Sequence, residues 1–417
     1  MKNFKFSTRL LMGAAVAVAL SVSVTSCSDD DGEDDPLPTA LDPNSSNNFI
    51  ASNIESGQKI TWTADKVVEL RGLVKVKSGG ELTIMPGTVI KGRPGQGASA
   101  SALLVARGGK IIAKGESFAP IIFTTTLDGI VPGQLKSPNL ASTVQGQWGG
   151  LIVLGSARVS TGNTGGGSFD VKQIEGIDGT DKDGEYGGTN DQDSSGIISY
   201  VSIRHGGSNI GQDNEINGLT LGGVGSKTVI NNIEVVANKD DGIEFFGGTV
   251  SISDVVIWNN GDDAIDTDQA WNGTISNFAC VGPGGSPFEL DGPEGTYING
   301  NHTITNGAIV STRPNAGLAA EDLINYDDNS NVDLKNLSFT QISSGQKVNS
   351  KDRRNVTSVS FANIVLDVDS SSLPTYMGLG HTDPVPSGIT AGTNNTYFDE
   401  SKLFWTWSAN AGILNGL

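Results

Sequence analysis

The chain has 417 residues, of which 56 are Gly and only 6% aromatic, and its formal net charge is −19. An acid excess on that scale argues against a phosphate-binding surface, so nucleic acid is excluded as a partner while cations are not. Abundant Gly, Ser, Thr and Asn with few aromatics also point away from an α/β enzyme and towards a turn-dense all-β chain.

Met1 to Ser26 reads as an export signal: Lys2, Lys5 and Arg9 precede an apolar run, Leu10 to Val24, too short to be a confident bilayer span. Val24-Thr25-Ser26-Cys27 resembles a bacterial lipobox. That resemblance implies cleavage before Cys27, acylation of this residue, and attachment to a lipid bilayer through its acyl chains. Residues 27–53 form an acidic tether, solvated by virtue of its charge. Its run Asp29-Asp30-Asp31-Gly32-Glu33-Asp34-Asp35 resembles the surface-export signal of Bacteroidota lipoproteins, which implies an outer-membrane, cell-surface location. Loss of the signal removes three positive charges and moves the net charge from −19 to −22.

Residues 54–366 are expected to form a solenoid. Successive short strands are predicted at Val67, Leu73, Leu82 and Val89, separated by Arg71-Gly72, Ser78-Gly80 and Pro86-Gly87 turns. Further on, one phrase is written three times, as NNIEVVANKDDGIEFFGG from Asn231, SDVVIWNNGDDAIDTD from Ser253 and SNFACVGPGGSPFELDG from Ser276. Aligning Ile243, Ile265 and Phe288 gives periods of 22 and 23 residues. Units of that size cannot bury an apolar face alone and must stack. Alternation of apolar residues within runs of three to six, punctuated by Gly, Asn and Asp, predicts three short strands per coil. The expected fold is a single-stranded right-handed parallel β-helix, with handedness taken from the general preference of parallel crossovers.

Several phrases resemble those of β-helical lipoproteins and secreted proteins of the Bacteroidota, whose domain is pectin-lyase-like. They are Leu82-Thr83-Ile84, Gly109-Lys110-Ile111, Pro120-Ile121-Ile122-Phe123-Thr124, Gln147-Trp148-Gly149-Gly150-Leu151 and Ile174-Glu175-Gly176. Tyr200-Val201-Ser202-Ile203-Arg204-His205-Gly206-Gly207, Asp240-Asp241-Gly242-Ile243-Glu244 and Phe404-Trp405-Thr406-Trp407 complete the set. The resemblance implies the fold over nearly the whole mature chain and no particular activity.

The repeat makes a chemical prediction. Glu244, Asp266 and Glu289 occupy the same strand of successive coils, each beside an inward apolar residue, so their carboxylates should point out and stack about 4.8 Å apart. Asp240-Asp241 and Asp262-Asp263 in the preceding turns and Asp268 and Asp291 at the strand ends enlarge the acidic face. Like charges so close raise one another's pKa or attract a cation, and calcium is the expected ion. The candidate ligands are Asp240, Asp241, Asp262, Asp263, Asp266 and Asp268. A Gly- and Asp-rich insertion from Ser160 to Gly196, with Asp178, Asp181, Asp183, Glu185, Asp191 and Asp193, is a second calcium candidate, although its spacing departs from the EF-hand pattern.

The same face suggests a carbohydrate groove. Glu244, Asp266, Glu289 and His205 would supply polar contacts and Trp271 a stacking platform, with Trp258 a lesser candidate. The leading expectation is a binding or display platform for glycan or other cell-surface components. The alternative is a polysaccharide hydrolase or lyase using Asp262, Asp263, Asp266 and Glu244, since paired Asp on a β-helix resembles the arrangement in polygalacturonases and pectate lyases. The downstream Gly-His-Gly and Arg-x-Lys of polygalacturonases have no counterpart here. His302 and His381 sit in loop-like contexts, and Arg313, a possible lyase base, precedes Pro314. Cys280 is expected to be a small buried hydrophobe. Residues 367–417 read as a loop and a C-terminal aromatic cap closing the open end of the solenoid.

Overall fold

The computed structural model describes residues 49–162, 171–211, 214–312, 321–349, 358–378, 385–393 and 397–417. The export signal, Cys27 and most of the tether lie outside the described residues, as do Arg313 and His381.

Strands wind into coils with three faces. The first face begins with Lys59–Trp62, Glu81–Ile84 and Lys110–Lys114, the second with Val67–Leu70, Val89–Gly92 and Ile121–Thr125. The third is an eight-stranded parallel sheet running from Leu73–Val76 to Asn325–Tyr326. From Gly196–Arg204 onward the first two faces are one continuous strand per coil, its first half pairing with Lys110–Lys114 and its second with Ile121–Thr125. A single left-handed residue bends each such strand: Tyr200, Asn232, Asp254, Asn277, Asn306, Asn336 and Asn363 all have φ between 52° and 60°. Asn and Asp tolerate that region because their short side chains bond locally. Here the bonds run between coils, from Asn277 to Asp254 (2.8 Å), Asn336 to Asn306 (2.9 Å) and Asn363 to Asn336 (3.0 Å).

One core threads the coils. It contains Leu151, Val153, Leu219, Leu221, Ile243, Phe245, Ile265, Phe288 and Leu290 from the third face, and Cys280 from the second. Burial pushes the Cys280 thiol far up, as expected for an inert core residue. Parallel pairing starts earlier than residue 54, with Phe49–Ile50 against Val68 and Glu69. It also ends later than residue 366, because Ile389–Ala391 adds a strand beside Ile364–Leu366.

The C-terminal segment differs from expectation. Phe398, Leu403, Trp407 and Leu414 do not close the end of the solenoid; they lie across the outer surface of the second face, on Val236, Val256, Trp258, Ala279, Val281, Ala308 and Val310. These residues alternate with the inward ones and form an apolar outer stripe that only a returning segment could bury. The strap is fastened by charge as well. Glu234, fully buried, accepts from Ser408 N and Oγ (both 2.8 Å), from Ser202 Oγ (2.5 Å) and from Arg204 Nη2 (3.4 Å). The Arg204 guanidinium lies 5.0 Å over the Trp407 ring.

Candidate acidic site

The outer surface of the third face changes character along its length. Over the N-terminal coils it is apolar, and Ile174, Ile177 and Tyr186 of the insertion cover Leu104, Ile152, Leu154 and Phe246. Beyond that cover the outward positions become acidic. Register places Thr220, Glu244, Asp266, Glu289 and Asn325 in one column. Asn217, Asp241, Asp263 and Ser286 form a second column in the preceding turns, because Gly218 N bonds Asp241 O, Gly242 N bonds Asp263 O and Ala264 N bonds Ser286 O. Asp268 and Asp291 end the strands, the Asp291 N–H donating to Thr267 O.

The turns draw these columns together. Asp241 Oδ1 accepts from Asp263 N (2.9 Å), and Asp263 Oδ1 accepts from Ser286 N, so each carboxylate caps the turn of the next coil. Gly285 leaves room for them: a Cβ there would lie 2.4 Å from Asp262 Oδ1 and 2.6 Å from Asp263 Oδ1, so a larger residue would push both carboxylates aside. The three acids of the strand column are flanked by amides, Asn217 Nδ2 of the turn column donating to Glu244 Oε2 and Asn325 Nδ2 to Glu289 Oε1 (3.1 Å). Asp266, between them, faces a carboxyl group on both sides. One carboxylate oxygen each from Asp241, Glu244 and Asp266 lie within 4.8 Å of one another, as do oxygens from Asp240, Asp241 and Asp262.

Outward-facing here does not mean solvated, which corrects the expectation of an exposed ladder. Asp241, Glu244 and Asp263 are 8%, 7% and 6% exposed, and Asp266, Asp268 and Glu289 are half-buried. Burial, followed by the neighbouring acids, pushes Asp241, Glu244 and Asp266 well above the usual carboxylate range. Asp263 is raised to about 9 by burial and by its contact with Glu289. Asp268 is raised to about 7 by burial and then by Glu294. Among the described residues no Lys or Arg forms an ion pair with Asp241, Glu244, Asp263, Asp266 or Glu289; the nearby Lys172 instead pairs with Glu294 at 3.3 Å.

Three expected contributors belong elsewhere. Trp271 is no platform: it is 1% exposed, stacks on Phe245 with centroids 3.9 Å apart inside the core, and donates to Val250 O (2.9 Å). It follows Gln269 and Ala270, two left-handed residues that turn the chain inward. His205 is fully buried at the corner ending the second face, with φ 60°, Nδ1 2.6 Å from Val144 O and its ring edge-on to Trp407. It therefore cannot join the acids in a binding face. Trp258 is covered by the strap, edge-on to Trp407. His302 opens a strand rather than a loop, packs on Trp271, and is driven down to about 3 by burial.

The insertion's acids are engaged in other ways. Lys75 pairs with Asp181 and Asp183, Arg107 and Lys182 with Glu185, and Arg158 with Asp191, while Asp193 accepts from Ser156. Asp178 accepts from Thr180. These pairs fasten the insertion to the solenoid and leave no shared carboxylate cage among the described residues.

The model of the pectate-lyase-like β-helix domain family matches residues 52–377. The chain belongs to this family. Family and structure agree on the parallel β-helix that the 22-residue repeat predicts. No curated protein and no solved structure matches the chain. Membership in the pectate-lyase-like family brings the architecture, and chemistry must be argued from the acidic face itself. Two residues of that face escape the sequence reading. Asn217 lies 24 residues before Asp241 but in a coil that does not repeat the Asp pair, and Asn325 lies 36 residues after Glu289, beyond a long insertion.

Proposed function

We propose that this β-helix is a binding and display platform whose acidic face holds a hard divalent cation, calcium by its oxygen-only donor set, and engages glycan or another cell-surface component there. What supports this most is the overlapping pair of three-carboxylate clusters with oxygens within 4.8 Å. Oxygens at 2.3–2.6 Å from one calcium ion stand no more than about 5 Å apart. Asp241 with Glu244 and Asp266, or with Asp240 and Asp262, would hold the ion, which would offset the like-charge cost that the coils bear. Asp263 and Asp268 extend the acidic field. In this reading acylated Cys27 tethers the mature chain to an outer membrane and displays it at the cell surface. The support is the lipobox-like run and the acidic segment after it.

Calorimetric titration of the full-length chain with calcium tests the cation. Saturable binding with proton release at neutral pH is expected, weakened about tenfold or more in Asp266→Asn. Absence of both heat and thermal stabilisation would refute it. Glycan-array binding with and without chelator tests the platform. Membrane fractionation of Cys27→Ala, expected to release the protein, tests the anchor.

A hydrolase or lyase reading has one observation in its favour: Asp263, at about 9, keeps a proton at neutral pH and is a ready general acid. Against it, the downstream Gly-His-Gly and Arg-x-Lys of polygalacturonases have no counterpart in this chain. Reducing-sugar release from pectin-like polymers, lost in Asp263→Asn and Asp266→Asn, would overturn the platform reading in favour of the enzyme.

A further inference from the structure

The outer surface of the second face is covered in two stages. The C-terminal strap covers the stripe from Val236 to Val310, and Ile130, from the loop after Thr125, packs on Val89 and Ile122. Before that cover, the first coils leave a groove of about 360 Å³ lined by Val67, Glu69, Lys91, Arg93, Pro94 and Thr126. In a chain of net charge −19 this groove has the opposite sign. Glu69 and Lys91 are neighbours in register. Arg93 and Arg71 both donate through Nε to one oxygen of Glu69, which is only 7% exposed. Burial pushes the Glu69 carboxyl up, but the two arginines outweigh it and hold it below the usual range. Glu69 thus works as a bracket that aligns two guanidinium groups.

Lys91 lines the groove and is half-buried. Its Nζ donates to Asp128 O (2.6 Å), and burial lowers its pKa despite the nearby Asp128 charge. The Asp128 carboxylate is itself occupied by Thr124 Oγ1, Ile130 N and Ser137 Oγ. Three cations therefore face two carboxylates that are already bonded. The surplus is a single positive charge in a partly desolvated groove, which suits one monoanionic group.

We infer that this groove is an anion subsite that takes a single carboxylate or sulfate group borne by a larger ligand, with Arg93 and Lys91 as its direct contacts and Glu69 as a positioning residue. The guanidinium fork fits the oxygens of either a carboxylate or a sulfate, and the ammonium adds a point charge. The subsite stands on a different face from the acidic columns and does not depend on their holding a cation.

The test is a titration of the full-length chain with sodium glucuronate, with glucose as the neutral control and inorganic sulfate as a competitor. Saturable glucuronate binding is expected, displaced by sulfate, absent with glucose, and weakened about tenfold or more in Arg93→Gln and in Lys91→Gln. Arg93→Gln also removes one of the two cations that hold Glu69 ionised, so Arg93→Lys, which keeps that charge, is the variant that should recover part of the binding. Lys110→Gln removes an exposed charge from another face and should change nothing. Failure of glucuronate to saturate, binding unchanged in Arg93→Gln, or equal weakening in Lys110→Gln would each overturn the assignment. Should calcium binding fail in its own titration, this result would still stand or fall separately.

Discussion

Glu234 and Glu244 are both buried glutamates on outward-facing strand positions, yet their surroundings differ in kind. Glu234, on the second face, is met by Arg204, Ser202 and two groups of Ser408, so its lone pairs are satisfied by donors from two segments. Glu244, on the third face, accepts from the amide of Asn217 and otherwise faces Asp241 and Asp266. One buried charge is a fastener, paired and hydrogen-bonded, whereas the other sits in a field of its own sign. Evolved interiors tolerate the second arrangement where something outside the chain completes it, and that contrast is what makes the third face a candidate site.

The contrast is broken most forcefully at the fastener. Glu234→Ala should leave Arg204, fully buried, without its counter-charge and free Ser408 from the solenoid. Removing one partner of a buried pair costs about 3–5 kcal/mol, so a large drop in the denaturant midpoint is expected. The companion Arg204→Met/Glu234→Leu should recover most of that loss, because two apolar side chains remove the desolvation cost together. If the single variant loses under about 1 kcal/mol, the strap is held by its aromatic residues alone.

The opposite sign is expected at Asp266. At neutral pH the folded chain must either keep a charge between Glu244 and Glu289 or take up a proton there, and both cost free energy. Asp266→Asn removes that choice and should stabilise the chelated protein by about 2 kcal/mol, while abolishing most of the stabilisation that calcium gives the parent. Destabilisation by this substitution in chelator would show that the acids are mutually supported, and the comparison with Glu234 would fail.

How much of this was visible beforehand follows the physics of repeats. Register is set by local alternation, so Glu244, Asp266 and Glu289 could be stacked from their 22- and 23-residue spacing, as the structure has them. What covers an outward face is not local. The insertion's Ile174, Ile177 and Tyr186 and the strap's Trp407 come from distant segments, and nothing in the repeat says which face they choose. For the same reason Trp271 read as a surface platform: the inward turn at Gln269 and Ala270 uses left-handed φ values at residues that do not advertise them. Nothing near His205 in the sequence signals the loop carrying Val144 that draws it away from the acids.

The third effect is also the most diagnostic, because it reads the acidic face by pH. A carboxyl whose folded pKa is raised contributes stability below its unfolded value near 3.8, and loses it as pH rises through the folded value. Asp268 completes that loss near pH 7 and Asp263 near pH 9. Below pH 6.5 the trend is opposed by His302, whose pKa of about 3 makes the folded state gain stability as the unfolded chain deprotonates. Between pH 7 and 9 the histidine contribution is spent, so the acidic face alone should tilt the curve. In chelator, stability should fall across that window by about 2 kcal/mol, and saturating calcium should flatten the slope because a bound ion holds the carboxylates ionised in the folded state. Asp263→Asn should flatten it without calcium. Should the chelated protein instead hold constant stability from pH 7 to 9, the carboxylates of the third face would be as well served as Glu234, and they would need no ion to explain them.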